Sequence, residues 1–149
     1  MPRSRRWTEL AADEGSVSIE FLTVGMLLTI PLVYLVLAMA QLQAATLATE
    51  GAARQAARMV ATADSHGEGL AAADAAIAVA LADLGLEPTA VDVACGPTPS
   101  DCTTRGGTVQ VAVEVTVPLP LVPPVLDLDV GLSVPITAQA AQPVSELRP

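Results

Sequence analysis

Few residues in this chain are equipped for chemistry, and their spacing narrows what that chemistry is. Cys95 and Cys102 are the only two cysteines, and six residues separate them. With one histidine and no further thiol, a zinc site lacks ligands. The C-x6-C spacing is not the C-x-x-C of a redox-active pair. In an oxidising compartment such a pair favours a disulfide, and closing so short a loop is worth about 2–3 kcal/mol in the chain-entropy treatment. His66, the single histidine, lies in the break Asp64-Ser65-His66-Gly67 and is expected as a solvated loop residue. Without it no Ser/His/Asp constellation can be assembled. Asp127 and Asp129 share one strand face. They read as outward, solvated acids rather than as calcium ligands, which would need more oxygens than two side chains supply. No glycine-rich phosphate loop is present. Catalytic residues, a metal and a cofactor are therefore not expected. The remaining candidate is Glu20, a carboxylate held between Gly15 and a long apolar run.

That run, Phe21 to Ala40, contains 20 residues and no charge. As a helix it spans roughly 30 Å, the thickness of a bilayer's hydrocarbon core. A helix apolar on every face is seldom hidden inside so small a protein. Pro31 is compatible with a membrane helix, and Gly25 lets a second helix approach closely. Arg3, Arg5 and Arg6 precede the run, and no basic residue follows before Arg54. The positive-inside rule then puts the N-terminus in the cytoplasm and the C-terminal part outside. A carboxylate at a membrane edge is costly unless paired, which makes Glu20 a functional candidate.

Composition excludes other classes. The 149 residues are 52% hydrophobic, so wholesale disorder is ruled out. A net charge of −9, with 16 acids against 7 basic residues, all arginine, argues against nucleic acid as a partner. The aromatics are one Trp, one Tyr and one Phe, too few for stacking platforms. None lies beyond Tyr34, so the outer part must build its core from Ala, Val, Leu and Ile.

The elements that position these residues follow from periodicity. Gln41 to Ala63 is alanine-rich and helix-favouring. Glu50, Arg54 and Arg58 recur every four residues on one face, with Leu42, Ala45, Ala52, Ala56, Met59 and Ala63 opposite. One long helix is therefore expected from about Ser16 to Ala63, half in the membrane and half outside. Gly51 weakens it unless close packing accounts for the glycine. A second helix is expected over Gly69 to Leu84, with Leu70, Ala73, Ile77, Leu81 and Leu84 as its apolar stripe and Gly85 at its end. Ala90 to Cys95 reads as a short strand. Val109, Val111, Val113, Val115 and Val117 alternate as in a half-buried strand, and Pro118, Pro120, Pro123 and Pro124 break it. Leu126 to Ala138 alternates again, with Pro135 suggesting an edge or a bulge. The expected fold is α+β: a long N-terminal helix with a membrane half and an external half, a short second helix, and a small antiparallel sheet packed on the long helix.

Glu14-Gly15-Ser16-Val17-Ser18-Ile19-Glu20-Phe21, followed by the apolar run, resembles the class III signal of type IV prepilins. That resemblance implies a leader of residues 1–15, cleavage of the Gly15–Ser16 bond by a membrane-embedded aspartic peptidase, and retention of the apolar helix. Glycine suits the position before the bond because it has no Cβ to obstruct an extended backbone in a tight cleft. Glu20 becomes the fifth residue of the mature chain, about 6 Å along the helix from the new α-amino group. The resemblance implies that it pairs with that group on a neighbouring subunit, an attraction strengthened by low dielectric. With the alanine-rich EGAARQAAR stretch and a β-rich tail ending QPVSELRP, the whole is similar to TadE-like pseudopilins of tight-adherence (Flp-type) pili. The family's middle stretch commonly reads Glu-Gly-Ala-Arg. Here a further alanine separates Glu50-Gly51 from Arg54, so no role carries over to Arg54 or Arg58. Major Flp pilins are much shorter, which makes a minor or accessory subunit the better match. Glu20 and Phe21 would serve assembly. The implied partners are the prepilin peptidase, other pilins or pseudopilins, an inner-membrane assembly platform, a cytoplasmic ATPase, and membrane lipid.

Two other fates of the apolar segment stay open: an uncut single-pass anchor, and a signal peptide cut after the small-x-small triplet Ala38-Met39-Ala40. Trp7, the only tryptophan, lies in the leader. Cleavage after Gly15 should therefore abolish tryptophan fluorescence in the mature protein, which the emission spectrum of the purified membrane form checks.

Overall fold

The computed structural model describes residues 6–119 and 133–147, with side chains from residue 19 on. Helix α1 runs Arg6–Thr62 and helix α2 His66–Ala82. Strands β1 (Pro88–Gly96), β2 (Thr108–Pro118) and β3 (Ser133–Pro143) follow. The strands form one antiparallel sheet in the order β1-β2-β3. The chain divides into two units, Met1–Met39 and Ala40–Pro149.

In the first unit α1 begins at Arg6, ten residues before the expected start near Ser16. Leu10, Ala11, Ala12 and Glu14 favour helix, and one glycine costs only about 1 kcal/mol, less than the cost of nucleating a separate helix. The helix continues through Pro31. Its apolar side chains are exposed along the span, among them Leu27 at 72%. Of the most apolar 18-residue window only 6% is buried, so this is not a core helix. Thr23 and Thr29 donate their hydroxyls to the carbonyls of Ile19 and Gly25, at 2.8 and 2.7 Å, which satisfies both inside the helix itself. By length and composition this one helix fits a single-pass membrane anchor.

In the second unit the C-terminal part of α1 presents Ala45, Thr49, Ala52, Ala53, Ala56, Ala57, Val60 and Ala61 to the core. This is a wider stripe than the periodicity suggested, and Met59 and Ala63 sit at its margin, half-buried. Thr49 is fully buried, its hydroxyl bonded to the Ala45 carbonyl at 2.7 Å. Helix α2 starts three residues earlier than expected, and the N-terminal cap explains why. Ser65 Oγ accepts from the Glu68 N–H at 3.3 Å and donates to the Glu68 carboxylate at 3.2 Å. That Ser-x-x-Glu pattern is a capping box. The buried stripe is Gly69, Ala73, Ile77 and Leu81, whereas Leu70 is half-buried and Leu84 exposed. The helix ends at Ala82. Gly85, at φ 62°, then turns the chain so that the Leu86 N–H reaches the Leu81 carbonyl at 3.2 Å.

The sheet covers the remaining side of the core. The five valines of β2 are buried as their alternation requires. β3 pairs only with β2, so Pro135 lies on an edge strand, where a missing N–H is tolerated. The expected strand start at Leu126 lies outside the described residues. Gln41 Nε2 donates to the Pro118 carbonyl at 3.3 Å, which ties the start of α1's C-terminal part to the end of β2. At the opposite end the Cys102 N–H donates to His66, where α2 begins. Within this unit, then, α1 and α2 run in opposite directions, and so do β1 and β2.

The core holds no aromatic side chain among the described residues, only Ala, Val, Ile, Leu, Cys and Thr. Small residues let helices approach, and Gly69 marks the closest point. A Cβ there would sit 3.1 Å from Ala63 Cβ and 3.2 Å from Val60 Cα. A Cβ on Gly51 would meet nothing within 4 Å, so packing inside this chain does not account for that glycine. Gly69→Ala should therefore destabilise by about 1–3 kcal/mol through overpacking. Gly51→Ala should stabilise by up to about 1 kcal/mol through helix propensity. Urea unfolding of the two variants beside the parent checks both signs.

Candidate functional site

The two groups of residues singled out by chemistry fall in different units. Glu20 and Phe21 lie in the first, on an uninterrupted stretch of α1. Phe21 is 79% exposed. Glu20 is exposed and has no ion pair among the described residues. The backbone across Gly15–Ser16 is helical, not extended. A peptidase that reads an extended strand would have to unwind this turn, and Gly15 is where helix is weakest. The helix also fixes the Glu20 carboxylate one turn beyond the Gly15–Ser16 bond. Gly25 has open space around it, so a neighbouring helix can approach without meeting a Cβ.

The second group is a corner where β1, the β1–β2 loop and α2 meet. Cys95 and Cys102 form a disulfide, with 5.0 Å between their Cα atoms, and both are buried. Cys95, the last residue but one of β1, faces inward opposite Val109. The loop is held by its own side chains. The Asp101 carboxylate accepts from the Thr103 N–H at 2.8 Å and from its hydroxyl at 2.6 Å, and the Thr104 hydroxyl donates to the Asp101 carbonyl at 3.1 Å. Gly107 then passes so close to the Gly96 carbonyl that a Cβ would lie 2.6 Å from its oxygen. The segment just after β3 docks here too, through Val144 N–H to the Gly107 carbonyl at 2.9 Å.

His66 corrects the sequence reading. It is not a free loop residue but the first residue of α2, half-buried. Its Nδ1 accepts the Cys102 N–H at 3.3 Å. It therefore satisfies a backbone donor beside the disulfide and ties the loop to the helix. The capping box at Ser65 and Glu68 was the signal that would have placed it in the helix.

The acids and bases on α1 follow the expected spacing only in part. Arg54 pairs with Glu50 at 3.3 Å on an exposed face, a contact of small energetic value. Arg58 has no such partner among the described residues. Among those residues no three His, Cys, Asp or Glu side chains are grouped as a metal set would require. Asp127 and Asp129 lie outside them.

These features define an α+β protein with one helix, among the described residues, long and apolar enough to cross a membrane, and a second unit closed by a disulfide. Compared with known proteins, the chain matches no family model, no curated protein and no solved structure.

The corner yields a graded expectation. Replacing both cysteines by serine should cost about 2–3 kcal/mol, since a short closed loop opens in the unfolded chain. His66→Ala should cost about 1 kcal/mol by orphaning one half-buried N–H. Denaturant midpoints of the oxidised protein and the two variants check that order.

Proposed function

We propose that this protein is a minor pseudopilin, an assembly subunit of a Tad-type pilus or secretion system. It is inserted by α1, cut after Gly15 by a prepilin peptidase, and assembled with other pilins through the helix that cleavage leaves in place. One observation carries the reading. A polar segment ends in Gly15, and five residues later Glu20, exposed and without an ion pair among the described residues, stands at the edge of an exposed, unbroken apolar helix. An unpaired carboxylate beside hydrocarbon calls for a cation. Cleavage creates one, the α-amino group of Ser16, within a helical turn of that position on every copy. On this reading the protein acts by packing and not by catalysis. Its outer unit lies on the far side of the cytoplasmic membrane, where an oxidising compartment keeps the disulfide formed.

The helical backbone through Gly15–Ser16 favours a second reading, an anchor that stays uncut, because a peptide bond inside a helix resists proteolysis. N-terminal sequencing of the membrane protein, with and without a prepilin peptidase, separates the two. The first reading expects Ser16 as the new N-terminus. Met1 would establish the uncut anchor, and Gln41 a released domain. Substituting Gly15 should block cleavage. Glu20→Ala should leave cleavage intact and lower recovery in assembled material, and normal assembly of that variant would exclude the pairing role.

A further inference from the structure

The outer unit carries two exposed charged surfaces of opposite sign. The first is on α1, where Arg54 and Arg58 point outward one turn apart, Arg54 with 63% of its side chain exposed. Of the cations whose side chains are described, only these two and Arg105 belong to this unit. The second is the outer face of the sheet, opposite the valines. Asp92 pairs in register with Ala112, and Glu114 stands two residues further along β2. Diagonal neighbours on one sheet face lie about 7–8 Å apart, close enough to repel each other as like charges. Neither carboxylate has a side-chain partner among the described residues. Around them the face is paved with short side chains. Asp92, Ala94, Gln110, Ala112, Gln139 and Ala141 border a shallow hollow of about 290 Å³. Nothing among the described residues covers it.

Height decides whether two copies can use these surfaces together. The Gln41–Pro118 hydrogen bond gives a common origin. Arg54 and Arg58 lie 13 and 17 residues along α1 from Gln41, roughly 20 and 25 Å at helical rise. Glu114 and Ala112 lie 4 and 6 residues back along β2 from Pro118, roughly 14 and 20 Å at strand rise. Measured from this origin within the unit, Arg54 and the Asp92–Ala112 pair lie at about the same distance, roughly 20 Å, with Glu114 nearer and Arg58 farther.

We propose that the outer sheet face is the docking surface for a second copy of this chain, whose Arg54 and Arg58 dock over the hollow beside Asp92, with Glu114 on the same face outside its rim. The contact is heterologous: each copy offers its stripe to one neighbour and its sheet face to another, an arrangement that propagates instead of closing as a two-fold dimer does. It rests on the assembly reading above and adds to it the charge pairing between outer units. The arginine side chains cover two mutually repelling carboxylates and the alanines around them, while Arg54 keeps Glu50 as a flanking acid.

The test exploits a property of the sequence: it contains no lysine. Arg58→Lys keeps the charge and adds the only side-chain amine. A carbodiimide then joins that amine to a carboxylate in contact with it, the water lost being taken up as urea. The full chain is used in its membrane, as a mixture of isotopically light and heavy copies, so that links between copies are recognised by mass. The expected product is a mixed-mass amide from position 58 to Asp92 or Glu114. Arg54→Glu with Arg58→Glu should lower association between outer units roughly tenfold, the factor that corresponds to about 1.4 kcal/mol. Asp92→Arg with Glu114→Arg should do the same, and combining the four substitutions should restore it. In parallel, a photo-reactive benzophenone side chain in place of Met26 reports contact between spans. Span cross-links without the amide to Asp92 or Glu114 overturn this proposal and leave the assembly reading standing. Absence of both overturns the two together. An amide confined to single-mass products, or failure of the four-fold variant to recover while its disulfide is intact, also overturns it.

Discussion

The close contact of α1 with α2 is the constraint on which the outer unit depends. Without aromatic rings, a core of this size can exclude water only if its layers come near one another. Alanine on α1 and Gly69 on α2 allow that approach, and Val60 and Ala63 fill the space that a larger residue at 69 would need. Ile77 and Leu81 then reach across to the valines of β2, and these aliphatic side chains form one continuous cluster with the disulfide. Density compensates for the small volume of each side chain, because dispersion contacts fall away quickly once a gap opens.

The same helix meets a different demand below Ala40. There the side chains are large, apolar and outward on all sides, and the threonine hydroxyls bond back to the helix itself. In hydrocarbon every polar group must be satisfied within the segment, while in the outer unit one face must be apolar and the other wet. The change from Leu, Met and Ile to Ala, Gln and Arg along one continuous helix fits a passage between those two solvents. Glu20 and the Gly15–Ser16 bond lie at the other boundary of the apolar span; on the proposed reading, a cut there leaves the span intact and exposes a new cation near that carboxylate.

His66 shows how a residue can be legible in type and illegible in role. Its isolation from other metal-binding residues was plain in the sequence, and so was the pairing of Cys95 with Cys102 given an oxidising compartment. That its Nδ1 accepts the Cys102 N–H could not be seen, because 36 residues separate the two and only the return of β1 alongside α2 brings them together. Gly51 and Gly69 make the same point from the other side. Both interrupt alanine-rich helices, yet one faces open space and the other a neighbouring backbone. Spacing along a helix gives a face, but which face meets which neighbour is a tertiary matter.

By itself the sequence determined the apolar span, the alternation of β2, the restriction of Pro135 to an edge or a bulge, the aromatic-free core and the α+β order. Each of these is a local consequence of periodicity, side-chain volume or a missing N–H, and needs no knowledge of distant residues. It also placed Glu20 and Gly15 relative to one another, since a helix converts sequence separation directly into distance. Tertiary structure alone decided that Pro135 falls on an edge rather than a bulge, which side of α2 is buried, how His66 and the disulfide loop are joined, and that Asp92 and Glu114 share one sheet face left uncovered among the described residues. These depend on register between strands and on the direction in which α1, α2 and β2 pass one another, and such registers are set by the sum of many weak contacts rather than by any motif.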